Sequence, residues 1–181
     1  MIGFIILLTS WSLSYVSLPE GSARGVVIVS YVPLTTEEVN STFIRIFFYN
    51  LLVAAALITL ANLIKVKGLP LGYFALLYHW ALYGVFLGTN SFMLPSVAKL
   101  FPSLNTLFHG SGIYEITSYT ILAAATYNIG FSLEYMSQLK EKGFTEFSKN
   151  INLSKSERIA VVSALALLFI SNYLEAWQIF T

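Results

Sequence analysis

The feature that most constrains this chain is the stretch 107–130, LFHGSGIYEITSYTILAAATYNIG. It holds one glutamate, Glu115, and then no charged side chain from 116 to 133. Crossing a bilayer takes about 20 mainly apolar residues, so this run is long enough to span. A carboxylate at the mouth of such a segment is costly in hydrocarbon and marks a function or a buried partner. Four more apolar stretches, 1–18, 44–64, 71–90 and 158–178, read as further spans. Only 10% of the residues are charged, against about a quarter in soluble domains, which leaves too few ions to cover a water-facing surface. The expected fold is all-α: a polytopic integral membrane helix bundle of about five transmembrane helices forming one membrane domain over 1–181. A short re-entrant or interfacial segment precedes the fourth span, 107–133, and a cytoplasmic loop covers 134–157.

Local signals place the boundaries. The first stretch lacks a basic n-region and a small-x-small cleavage site, so it reads as an uncleaved anchor. Residues 26–32 are a β-branched run closed by Pro33, either a strand or an interfacial segment. Thr35 and Glu38 form a capping box ahead of the second span, and Ser154 and Glu157 form another ahead of the last. Gly84 and Gly88 make a small-xxx-small face on the third span, a pattern that admits close helix packing. Pro95 and Pro102 break the segment before the fourth span. Trp11 and Trp177 are expected as interface anchors.

Orientation follows from the basic residues in the loops. With five spans, Lys65, Lys67, Lys140, Lys142, Lys149, Lys155 and Arg158 share one side, and Arg24, Arg45 and Lys99 the other. The richer side is expected to be cytoplasmic, giving a multi-pass protein of the cell membrane with its N-terminus inside and its C-terminus outside. Asn50, Asn90, His109, Glu115, Asn172 and Glu175 then all fall in the outer third of the membrane. They are expected to form one hydrogen-bonded polar layer, the candidate site.

The residues exclude several functions. A net charge of +1 lacks the basic stripe of a nucleic-acid binder. The absence of cysteine removes disulfides, thiolate zinc sites and cysteine nucleophiles. No HExxH, GxSxG, Walker or GxGxxG pattern occurs. His109 and Glu115 together are fewer than the three or four ligands of a zinc site. No catalytic residue, cofactor or metal is expected. His79, near the middle of the third span, is expected to bond across to another helix. Asn40-Ser41-Thr42 is a glycosylation sequon on the outer side.

The Gly112-Ile113-Tyr114-Glu115 run resembles the signature of the stage II sporulation protein M family. Phe47-Phe48-Tyr49-Asn50, the Gly84 and Gly88 pair, and Leu174-Glu175-Ala176 are similar to further elements of its pattern, in the same order. The chain departs from that pattern in two places. Ser111 stands where the family has a histidine one turn before the glutamate, and Thr117 stands in place of a proline. The resemblance implies a non-enzymatic membrane scaffold or complex subunit that organises partner membrane or envelope proteins. Its expected partners are the lipid bilayer and other membrane proteins or further copies of itself, through the glycine face and the cytoplasmic loop. The alternative is a permease-like or channel subunit moving a proton or small solute through the polar layer around Glu115.

Overall fold

A computed structural model describes residues 1–24, 39–91, 99–132 and 153–180. The capping box at Thr35 and Glu38, the run 26–32 and nearly all of the loop 134–157 lie outside the described residues. The protein is mostly helical. Helix α1 (Ile2–Ser17) is followed by α2 (Val39–Tyr49), a π-helical segment (Asn50–Ala55) and α3 (Ala56–Ala61). Those last three form one apolar rod, Val39–Ala61. Then come α4 (Leu71–Thr89), α5 (Leu104–His109), α6 (Gly112–Ala125), a 3-10 turn (Tyr127–Ile129) and α7 (Lys155–Phe180). Among the described residues, three helices are long and apolar enough to cross a membrane: Val39–Ala61, Leu71–Thr89 and Lys155–Gln178. Helix α1 is apolar but shorter.

Where 107–133 was expected as one span, the structure has two helices and a strand. The backbone turns extended at Gly110 (φ −83, ψ 145), which ends α5. Helix α6 then starts at Gly112 and stops at Thr126. The break is steric: a Cβ on Gly112 would run into the ring of Tyr83, so the chain passes α4 here at backbone distance.

The all-α expectation also omits a small sheet of order β2-β1-β3. Strands β1 (Ile64–Val66) and β2 (Leu69–Pro70) pair as an antiparallel hairpin, and β3 (Phe131–Ser132) joins β1 in parallel. Lys67 (φ 49) and Gly68 (φ 81) turn the hairpin. Two successive left-handed residues match the twist of flanking strands. Gly130 lets β3 approach, because a Cβ there would strike the Asn62 carbonyl.

Contacts set the directions of the helices. Gly3 meets Trp80, Gly84 meets Leu7 and Ser10, and Gly88 meets Trp11 and Ser14, so α1 and α4 run parallel. The Gly84 and Gly88 face is therefore filled by the chain's own first helix. Helix α6 runs against α4, with Gly112 beside Tyr83 and Ala123 bonded to Asn62 near the start of α4. Helix α7 runs against both α6 and the α2 rod. Asn128 donates to Glu157 at one end (2.7 Å), and Phe43 meets Phe169 and Tyr173 at the other. The second capping box closes reciprocally: Ser154 N–H donates to Glu157 Oε2 (2.7 Å) and Glu157 N–H to Ser154 Oγ (3.3 Å).

Two apolar cores result. One joins Ala55, Ile58, Leu76, Tyr119, Leu122, Ala164 and Leu168. The other joins Leu7, Trp11, Leu87, Leu107, Ile113 and Ile116. Trp80 packs against both. Trp11 is thus a core residue, not an interface anchor: it is fully buried, and its indole N–H donates to the Leu100 carbonyl at 2.8 Å. Trp177 is half exposed. Lys99 donates to the carbonyls of Tyr15 and Leu18, satisfying the free end of α1 where the helix dipole favours a cation.

Candidate functional site

The polar side chains inside the apolar helices gather where the α2 rod, α6 and α7 meet. At Asn50 the α2 rod widens from α-helical to π-helical turns, a local feature often found at functional positions. Asn50 Nδ2 donates to Asn172 Oδ1 at 2.9 Å. Asn172 belongs to the buried stripe of α7, with Ala164, Leu168, Ser171 and Ala176. Its spacing repeats every three to four residues, the signature of one helix face. Glu175 lies one turn further along that face.

Glu115 sits in the first turn of α6, where the helix dipole favours negative charge. Its Oε1 accepts a hydrogen bond from Tyr119 Oη at 2.8 Å. Tyr119, one turn on, is almost completely buried. Glu115 of α6 and Glu175 of α7 lie in the same region of the bundle, with Tyr83 of α4 and Tyr49 of the α2 rod. Neither carboxyl makes an ion pair with a basic side chain among the described residues.

Of the six expected layer residues, Asn50 and Asn172 are hydrogen-bonded to each other, Glu175 lies one turn beyond Asn172, and Glu115 is bonded to Tyr119. Asn90 lies elsewhere. It is seven residues past Tyr83 on α4, about 10 Å along the axis at the usual rise, and it caps the end of that helix in the left-handed conformation (φ 48, ψ 42). Asparagine tolerates that backbone better than most residues. His109 is the last residue of α5, and its side chain falls outside the described part. Gly84 and Gly88 face α1, away from this cluster.

Two participants were not expected. Tyr119 had a signal in the sequence, because it stands four residues from Glu115 and so shares its face. Tyr83 had none, since only the crossing of α4 and α6 brings it there. Outside this cluster, at the foot of the bundle, a further buried amide was not expected: Asn62 Nδ2 donates to Ala123 O (2.9 Å) and Thr126 Oγ1 (2.7 Å). His79 corrects its expectation. Its Nδ1 lies 2.7 Å from the Ala75 carbonyl of its own helix, so that nitrogen carries the proton. Across the helices it offers only its ring, edge to face with Tyr119 at 5.6 Å.

The Asn50–Asn172 pair yields a direct test. In a double-mutant cycle with Asn50→Leu and Asn172→Leu, unfolding in detergent is expected to show favourable coupling. Interhelical hydrogen bonds in membrane proteins couple by about 0.6 kcal/mol on average and up to about 1.7. Strict additivity would mean that the bond does not hold α7 to the α2 rod.

Comparison with known proteins adds nothing to this geometry: no family model, curated protein or solved structure matches the chain.

Proposed function

We propose that this chain is a non-enzymatic multi-pass membrane scaffold or complex subunit, of the kind implied by its resemblance to the stage II sporulation protein M family. In this reading it crosses the membrane about five times, with the broken α5–α6 pair as the fourth crossing. The N-terminus is cytoplasmic and the C-terminus outside. The alternating helix directions and the excess of basic residues on one side support that arrangement.

The observation that carries the functional reading is the use of the intramembrane amides. Asn50 is bonded to Asn172 on another helix, and Asn62 to the end of α6. Such bonds hold helices to one another, which suits a fixed frame. With the glycine face taken by α1, partners would meet the outer faces of the α2 rod and α7, where Phe48, Leu52, Phe169 and Tyr173 are exposed, and the loop 134–157.

The test is purification from native membranes in mild detergent, comparing wild type with Glu115→Gln. Glutamine still accepts the Tyr119 bond, so a scaffold keeps the same partners at the same stoichiometry. Flux of protons or a small solute in proteoliposomes, abolished by that substitution, would replace this reading with the permease-like one.

A further inference from the structure

The three helices able to cross a membrane each have an end at the foot of the bundle. The α2 rod stops at Ala61 and α4 starts at Leu71, joined by the β1–β2 hairpin. Helix α7 starts there too, at Lys155. Asn128 of the 3-10 turn donates to Glu157 (2.7 Å), and β3, just past that turn, lies beside β1. Where such helices span, this level meets the headgroup layer.

Four cations gather at this end: Lys65 and Lys67 on the hairpin, Lys155 and Arg158 in the first turn of α7. The Lys65 ammonium lies 4.7 Å from the centroid of the Tyr127 ring, which meets Tyr73 edge to face at 5.9 Å. Tyrosines beside basic residues are the composition of a membrane–water boundary. Lys67 and Lys155 are exposed, and among the described residues neither they nor Lys65 form an ion pair. Glu157 is the described acid at this end, and its carboxylate is already occupied by hydrogen bonds from Asn128 and the Ser154 backbone. Asn128, Ser154, Lys155 and Arg158, with Leu153 and Glu157, line an open cleft of about 580 Å³, a size that admits a small ligand. Val66 and Leu69, on either side of the Lys67 turn, are exposed as well, so charge and apolar surface lie side by side.

We infer that this end of the bundle binds the headgroup of an anionic phospholipid from the surrounding bilayer. Lys65, Lys67 and Lys155 supply the charge that meets the phosphate. Arg158 borders the cleft, where its Nε donates to the Leu153 carbonyl (2.8 Å). Val66 and Leu69 reach toward the upper ends of the acyl chains. A zwitterionic headgroup carries its own ammonium beside its phosphate and forgoes most of this attraction. Basic pockets between spanning helices hold anionic headgroups, and each lysine or arginine near an anionic surface is worth about fivefold in affinity. The inference rests on the membrane-crossing part of the reading above and not on the scaffold role.

The test follows thermal unfolding of the purified full chain in a non-ionic detergent as short-chain phosphatidylglycerol, phosphatidylcholine or inorganic phosphate is added. A ligand of the folded state raises the midpoint in a saturable way. Phosphatidylglycerol is expected to do so, phosphatidylcholine to give little response, and inorganic phosphate to act only at far higher concentration. Lys67→Gln and Lys155→Gln should each raise the half-saturating concentration of phosphatidylglycerol about fivefold, while Lys67→Arg and Lys155→Arg keep the wild-type response. Both lysines are exposed, so neither substitution opens the core. Arg24→Gln is the control. Gly21 N–H donates to the Thr89 carbonyl (2.6 Å), which sets Arg24 near the opposite end of α4, and its loss should leave the response intact. The inference is overturned if phosphatidylcholine stabilises equally, if inorganic phosphate acts at the same concentration, or if both glutamine variants respond as wild type does. In each of those cases a chain that still needs detergent keeps the membrane reading. A chain recovered from water without detergent overturns both.

Discussion

Gly88→Ala and Gly84→Ala are each expected to destabilise the protein by about 1–3 kcal/mol, the usual cost of forcing a methyl group into a filled contact. At Gly88 the new Cβ would meet Ser14 Oγ, the Trp11 carbonyl (2.7 Å) and the Tyr15 nitrogen (2.8 Å). At Gly84 it would meet Ser10 Oγ, the Leu7 carbonyl (2.5 Å) and the Trp11 nitrogen (2.9 Å). A serine hydroxyl can rotate aside. The helix backbone behind it cannot, so α1 must withdraw from α4 as a body. Withdrawal pulls Leu7 and Trp11 out of the second core and strains the Trp11 bond to Leu100. At roughly 2–4 °C per kcal/mol for a chain of this size, the melting midpoint should drop by several degrees. Gly110→Ala is the control. A Cβ there finds nothing nearer than 3.4 Å, and the extended backbone suits alanine, so its midpoint should hardly move. If Gly88→Ala melts with Gly110→Ala, the parallel α1–α4 seam is not a determinant of stability.

Asn62→Ala should be comparably damaging, through polar groups in place of steric ones. Asn62 ends α3 in a site with no solvent exposure. Its amide donates to Ala123 O and Thr126 Oγ1, and its Oδ1 lies against Gly72 at the start of α4. One side chain thus ties the end of α3 to the end of α6 and packs against the start of α4. Without it, Ala123 O loses its side-chain donor at the end of α6, where carbonyls run short of intrahelical partners. Leaving a buried acceptor unmet costs about 1–3 kcal/mol. Thr126 suffers less, since its hydroxyl also bonds to Leu122 O. Thr126→Val should therefore cost about 1 kcal/mol or less. Denaturant unfolding ranks the two, and hydrogen exchange locates the damage. The amides of Tyr127–Ile129 and Phe131 should exchange faster in Asn62→Ala, because β3 hangs from this junction through Phe131 N–H to Leu63 O (2.8 Å). Equal costs for the two variants, or protection unchanged in that segment, would show that Asn62 does not pin the foot of the bundle.

Much of the architecture was legible because it depends on local quantities. Length and apolarity of a run mark a helix able to span, and 71–90 and 158–178 lie within a few residues of α4 and α7. The box at Ser154 and Glu157 closes between neighbours in the chain, so its residues alone suffice. The break within the fourth stretch was not legible for a physical reason. Its composition is apolar throughout, but Gly110 and Gly112 serve a crossing with Tyr83 that no local pattern encodes. The small sheet escaped notice because its strands are two or three residues long and β3 pairs with β1 from more than sixty positions away.

The sequence by itself determined that this chain is rich in apolar helix and holds a few costly polar groups, because hydropathy and helical period are properties of each segment alone. It also led to the expectation that Asn50, Glu115, Asn172 and Glu175 share one level, since depth is counted along spans of alternating direction. Which of those groups touch was decided only by the tertiary structure. Azimuth around a helix axis and the choice of neighbour depend on how all the helices pack, and that packing set Asn90 at a helix end, turned the glycines toward α1, and bonded Asn50 to Asn172.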